Sequence, residues 1–167
     1  MKDLLGGRAI LPAIGVAFRQ RPSNDVWSPH PRPSTQKPAS VSETTTRGVR
    51  VQVRGTYVPE RSSPAESHYF FSYRVRIANE GEETVQLVSR EWIITDADGN
   101  VERVKGPGVV GEQPVLGPGE AFEYTSFCPL HTPIGSMQGS YQMVTSRGDR
   151  FDAAIAPFSL AVPTALN

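Results

Sequence analysis

Between residues 48 and 162, polar and apolar side chains alternate with period two in one run after another, and this most constrains the fold. GVRVQVRGTY (48–57) sets Val49, Val51 and Val53 against Arg50, Gln52 and Arg54. SHYFFSYRVRIAN (67–79) sets Tyr69, Phe71, Tyr73, Val75 and Ile77 against Ser72, Arg74 and Arg76. Such alternation marks strands with one buried face. TVQLVSREWIIT (84–95) is more apolar throughout and reads as a strand covered on both faces. EAFEYTSF (120–127), GSYQMVTS (139–146) and RFDAAIAPFSLAV (150–162) continue the series. Turn signals separate the runs at NEGEE (79–83), DADGN (96–100), GPGE (117–120) and SRGD (146–149). No segment carries the i, i+3, i+4, i+7 stripe of an amphipathic helix. About seven short strands joined by tight turns predict an antiparallel β-sandwich of immunoglobulin or fibronectin type III style. A small barrel would show the same periodicity.

Residues 1–47 read differently, as an irregular N-terminal extension to a domain spanning 48–167. Pro12, Pro22, Pro29, Pro31, Pro33 and Pro38 break any period, and SPHPRPSTQKPASVSETTT (28–46) is polar and turn-rich. Such a segment buries too little apolar surface to offset its ordering entropy. The extension carries seven Lys/Arg against Asp3, Asp25 and Glu43, while 48–167 carries ten basic and fourteen acidic residues. Three roles fit it: a targeting segment, an arm that orders on a partner, or a disordered tail. The acid-poor first twenty residues, with Arg8 and Arg19, suggest a mitochondrial address, with chloroplast or cytoplasm as alternatives. The mildly acidic body has no basic cluster, so direct contact with nucleic acid is not expected. LLGGRAILPAIGVAF (4–18) contains Arg8, Pro12 and three glycines, and no membrane span is expected. The single Cys128 excludes an internal disulfide.

GPGVVG (106–111) has the G-x-G-x-x-G spacing of a dinucleotide-binding loop. That motif needs a helix opening on the glycines so that backbone N–H groups and the macrodipole meet a pyrophosphate. EQPVLGPGEAFEY follows instead, with Pro114, Pro118 and two further glycines, so the helix is forbidden. No Gly-Lys-Ser/Thr follows to make a P-loop. Backbone freedom in a long strand connection is the plain role of the glycines. A small-anion site on the loop's N–H groups is the functional alternative, with Lys105, Gly106, Gly108 and Gly111 as its residues and Arg103 nearby.

Catalytic chemistry finds no constellation. His30, His68 and His131 are scattered, and no Cys/His/carboxylate spacing suits a metal or a cofactor. Asp96 and Asp98 resemble the start of a calcium loop that lacks its final acid, so a turn is expected. Cys128 and His131 have no third, orienting group, and Arg-Gly-Asp (147–149) reads as a hairpin turn. Trp92, flanked by Arg90 and Glu91, is either core or an interface anchor.

VQLVSREWIITDADGNVERVKGPGVVGEQPVLGPGEAFEYTS (85–126), CPLHTPIGSMQGSYQMV (128–144) and FDAAIAPFSL (151–160) together resemble the ApaG domain over about residues 48–163. The resemblance implies a fibronectin type III-like sandwich. It also implies a choice of roles. Bacterial members are linked by genetics to cobalt and magnesium resistance or efflux, with no established reaction. Eukaryotic members end F-box proteins and a polymerase delta-interacting protein, where the domain looks like a protein-binding module. The family's glycine loop has been proposed to hold pyrophosphate-like groups. Two positions depart from the pattern: Glu91 stands where members commonly carry His in S-R-H-W, and Phe127 replaces the glycine of Y-T-S-G. The resulting expectation is a non-enzymatic module that docks onto a protein or multi-subunit assembly, with Arg90, Glu91, Trp92 and Phe127 as interface. A small-anion or Co²⁺/Mg²⁺ homeostasis protein is the alternative.

Overall fold

The structure, a computed structural model, describes the backbone of residues 16–20 and residues 40–166, with side-chain burial assigned from 40 to 164. Among the described residues there are ten strands: β1 (Val16–Gln20), β2 (Val41–Thr46), β3 (Val49–Tyr57), β4 (Tyr69–Asn79), β5 (Val85–Asp96), β6 (Val101–Pro107), β7 (Val115–Leu116), β8 (Ala121–Leu130), β9 (Ile134–Thr145) and β10 (Arg150–Ala161). One sheet runs β1-β8-β4-β3-β2 and the other β10-β9-β5-β6, with β7 added to β5, every pairing antiparallel. The fold is a two-sheet all-β sandwich rather than a closed barrel.

Alternation builds the core as expected in β3 and β4. Val49, Val51 and Val53 meet Phe71, Tyr73, Val75 and Ile77 on the inner face, all buried. Each such side chain contributes roughly 1.5–3 kcal/mol of transfer free energy. Asn79 is a buried polar group with every amide atom engaged: Nδ2 donates to the Glu83 and Leu116 carbonyls and Oδ1 accepts the Gly81 N–H. It ties the β4–β5 turn to β7.

The structure corrects three sequence expectations. The expected domain start at 48 is too late, because β2 (Val41–Thr46) pairs with β3 and β1 with β8 ahead of it. Thr46 and Ser40 hydroxyls accept the β10 N–H groups of Ala154 and Ser159, which explains why a polar, β-branched run belongs to the sandwich. Second, β5 is not covered on both faces. A bulge between Leu87 and Ser89 shifts its phase, so Val85 and Leu87 point inward, then Trp92 and Ile94 do. Third, β6 occupies part of the stretch expected to be a long connection, with Gly106 and Pro107 inside the strand. Apart from β1 and β2, the extension, with its expected targeting, partner-bound or disordered roles, lies outside the described residues.

Candidate functional site

Three of the four glycine-loop residues, and all four interface residues, have a definite and mostly structural job. Gly106 lies opposite Arg90 across the β5–β6 ladder, and a Cβ there would sit 3.1–3.3 Å from the Arg90 guanidinium. Arg90 Nη1 donates to the main-chain carbonyls of Pro107 at 3.0 Å and Gly108 at 2.8 Å. The glycine therefore makes room for a guanidinium that staples the loop to β5. Gly108 has φ +59°, and a Cβ on it would fall 2.2 Å from the Glu112 carbonyl. Its own N–H donates to the Val88 carbonyl.

Beyond Gly108 the chain reverses in a tight turn. Val109 and Glu112 exchange N–H···O bonds of 2.8 and 2.9 Å, with φ of +44° at Val110 and +80° at Gly111. Two successive positive φ values are the sign pattern of a type I′ hairpin turn. Such a conformation suits Gly111 and strains the β-branched Val110. Gln113 Nε2 donates to the Val88 carbonyl and fastens the returning arm. The loop thus spends its Gly108, Val109 and Glu112 N–H groups internally and aims two carbonyls at a cation. Among the described residues, only the Val110 and Gly111 N–H groups of this loop are left for an anion. Lys105 lies on the outer face, 72% exposed, with Nζ 3.7 Å from Glu91.

Arg90 also faces the sandwich interior, where Tyr124 and Tyr141 hydroxyls hydrogen-bond each other and Tyr73 bonds Ser126. Burial pushes the Tyr73 phenol up to about 12 and raises Tyr124 and Tyr141 as well. Arg90 works against this on all three through its positive charge.

The expected interface residues do not share a surface. Trp92 is 2% exposed, packed edge-on against Tyr73, Tyr141 and Phe158. Its place is the core, because the bulge in β5 turns it between the sheets. Glu91 lies on the outer face of the second sheet, holding Arg103 at 3.2 Å as well as Lys105. Phe127 belongs to the other sheet. It stacks on Phe70 at 5.4 Å, and Arg61 roofs both rings at 4.1 Å from Phe70 and 5.3 Å from Phe127. His68 completes the patch 6.2 Å from Phe70. Arg61, His68 and Phe70 were missed by sequence reading; the one signal for them is that PERSSPAESHYFF crowds aromatics against a Pro-rich turn.

The remaining motifs resolve locally. Asp96 Oδ1 accepts the Asp98 and Asn100 N–H groups and Oδ2 the Asn100 side chain, so the carboxylate is spent on its own turn. Hydrogen bonds from Asn100 hold that carboxyl below its ordinary range. Cys128 is buried and its thiol pushed up to about 12 by desolvation, while His131 is exposed, so the two form no pair. Arg147–Asp149 is the β9–β10 turn, fastened by Thr145 Oγ1. Among the described residues no group of three His, Cys, Asp or Glu could hold a metal, and no helix is long and apolar enough to cross a membrane.

A profile described as the ApaG domain matches residues 59–145. The chain is 60% identical over 127 residues to Protein ApaG of Anaeromyxobacter sp. (strain K), covering 76% of this chain and all of that protein. This chain belongs to the ApaG family. It is also 58% identical to Protein ApaG of Beijerinckia indica, over 72% of this chain and 92% of that one. The crystal structure of an ApaA protein from Bordetella pertussis superposes with a TM-score of 0.67 at 49% identity, covering 76% of this chain and 98% of that one. Within an ApaG domain, then, the glycine loop is a fastened β-turn built around Arg90.

Proposed function

We propose that this ApaG domain is a non-enzymatic protein-interaction module that docks onto a larger protein or multi-subunit assembly. The observation that carries the reading is the Phe70–Phe127 pair under Arg61, on the outer face of the first sheet. Aromatic and Arg side chains are those that interfaces concentrate, because rigid rings bury much area at little entropic cost. Supporting it, the groups that looked chemically active are engaged elsewhere: Cys128 is buried, Asp96 caps its own turn, and Glu91 is paired. Affinity capture from a native extract with the full chain tests the proposal. Wild type retains a specific partner, and Phe127→Gly with Arg61→Ala loses it at least tenfold. Equal capture by both chains refutes the reading.

A small-anion or Co²⁺/Mg²⁺ homeostasis role is the second reading, resting on the Val110 and Gly111 N–H groups that the loop's own bonds leave unused. Titration with pyrophosphate, Mg²⁺ and Co²⁺, followed by amide chemical shifts, tests it; unmoved resonances at 105–111 in millimolar ligand remove it. A mitochondrial address, or a chloroplast or cytoplasmic one, is a separate proposal resting on residues 1–20. N-terminal sequencing of the native protein checks it, and a start at Met1 counts against import with cleavage.

A further inference from the structure

Charge is unevenly placed over the domain. Residues 48–167 carry more acids than bases, but many of the acids stand in connections: Glu80, Glu82 and Glu83 between β4 and β5, Asp98 before β6, Glu112 and Glu120 on either side of β7. The outer face of the first sheet has the opposite sign. β2, β3, β4 and β8 together hold four arginines, Arg50, Arg54, Arg74 and Arg76, against two carboxylates, Glu43 and Glu123. Alternation turns all six outward, away from the valines and aromatics of the core.

Pairing concentrates the arginines. Arg54 on β3 stands directly opposite Arg74 on β4, and Arg76 follows at the next outward position, opposite Gln52. Like charges directly opposite each other in an antiparallel pair, with Cβ atoms about 4.5–5.5 Å apart, destabilise the sheet. Glu123 on β8 is 5% exposed and lies between two of them, with Arg74 Nη2 at 3.1 Å and Arg76 Nε at 3.4 Å. One carboxylate aligns two guanidiniums there and leaves a positive charge over. The Arg74 side chain is 53% exposed, so that charge faces solvent. Glu43 is occupied at the far side by Arg50 at 2.6 Å and by Gln52. Toward the other end of the face, Phe127 stands opposite Ser72, one outward position along β4 from Arg74, and Arg61 lies over the Phe70–Phe127 pair.

We propose that the outer face of the first sheet binds an acidic segment of a partner protein, with Asp and Glu carboxylates taken by Arg54, Arg74 and Arg76. The inference rests on the interaction-module reading and names the partner's chemistry. Guanidinium forks match carboxylates bidentately, and Glu123 already holds two of the forks in place. The chain's own segment 21–39 does not complement this face, since it carries Arg21, Arg32 and Lys37 against Asp25. Nucleic acid is disfavoured because a phosphate backbone would meet Glu43 and a domain of net negative charge.

The test titrates the isotope-labelled full chain with the peptide EDEFEDE, with KKKFKKK as the control. Amide shifts are expected to move at 52–54, 72–76 and 123–127 with the acidic peptide alone. Binding weakens about threefold between about 0.05 and about 0.5 M salt, because the contacts are screened. Arg54→Gln with Arg74→Gln weakens it about fivefold. Arg147→Gln with Arg150→Gln removes the same charge from the β9–β10 turn and leaves it within about twofold of wild type. If the first double variant does not fold, the wild-type shift map decides alone. No shift on this face in millimolar peptide, equal weakening by the two double variants, or tighter binding of single-stranded DNA overturns the proposal. A dimer in sedimentation that Arg54→Gln with Arg74→Gln dissociates also overturns it, because the acidic occupant is then a second copy. In capture from native extract, a partner lost with Phe127→Gly and Arg61→Ala but kept by the Arg54 and Arg74 variant defeats the acidic segment and leaves the interaction module standing.

Discussion

Replacing Arg90 by Met separates the two readings of the glycine loop most sharply. Met keeps the apolar stem and removes the guanidinium, so the Pro107 and Gly108 carbonyls, now held at 3.0 and 2.8 Å, lose their donor. Hydrogen bonds to charged groups contribute about 1.5–3 kcal/mol each. Arg90 is only half-buried, so solvent recovers part of this. The Pro107 carbonyl is free to turn to water, while Gly108 is buried and its carbonyl is not. The net cost is therefore about 2–3 kcal/mol, which for an m-value of about 2 kcal/mol/M moves the urea midpoint down by roughly 1 M. Exchange at the Gly108, Val109 and Glu112 amides accelerates at least tenfold, because their acceptors depend on the stapled loop. Lys105→Ala is the control: its exposed pair with Glu91 is worth less than about 1 kcal/mol, and no loop amide depends on it. An Arg90→Met chain with unchanged midpoint and unchanged loop exchange would refute the staple and return the loop to the role of an open N–H cradle.

Three further outcomes are expected. Gly108→Ala forces a Cβ 2.2 Å from the Glu112 carbonyl at a positive φ, so it costs at least about 3 kcal/mol; a thermal shift under one degree contradicts the geometry. Gly111→Ala puts an L side chain at φ +80° with open space around its Cβ, so backbone strain alone lowers stability by about 1 kcal/mol, read as a lower urea midpoint at unchanged slope. At high pH the buried Tyr73, Tyr124, Tyr141 and Cys128 keep protons that the unfolded chain releases, so their stability contribution is intact below about pH 9 and lost above it. At roughly 1.4 kcal/mol per group per pH unit, Tyr73 and Cys128 alone lose about 4 kcal/mol by about pH 11, a large part of an ordinary domain's stability, and Tyr124 and Tyr141 add to it in the same direction. Tyrosinate absorbance from these three residues rises together with the circular-dichroism transition; ionisation in an intact fold contradicts their burial.

Alternation of side chains made the sandwich legible before any coordinates, because period two assigns each residue of β3 and β4 to a face without reference to its neighbours. It failed where a second interaction overrode the pattern. The bulge after Leu87 reverses inside and outside within β5, and an apolar run with reversed phase looks the same as a strand buried on both faces. β6 alternates charge with charge at Glu102, Arg103 and Lys105, since an edge strand is kept polar, and it therefore reads as loop. β2 turns Ser42, Thr44 and Thr46 toward the other sheet, and the Thr46 hydroxyl there accepts a β10 N–H group, so a polar run carries a strand that an apolar pattern would not reveal. In each case the missing information was the identity of the neighbouring strand.

The same gap explains the misplaced interface. Trp92 was the most conspicuous aromatic flanked by charge, yet charge flanking a residue in a strand says only that its neighbours face the other way. Whether the ring faces solvent depends on which face the second sheet covers. Phe127 is expected at an interface together with Trp92, yet the pairing order puts the two on different sheets. β8 lies beside β4 in the first sheet and sets Phe127 opposite Ser72, so its ring meets Phe70 on the outer face. Faces are written in local periodicity, whereas edges are written in topology. On the second sheet the same dependence sets Glu91 against Arg103 and Lys105, because the bulge that turns Trp92 inward turns Glu91 outward.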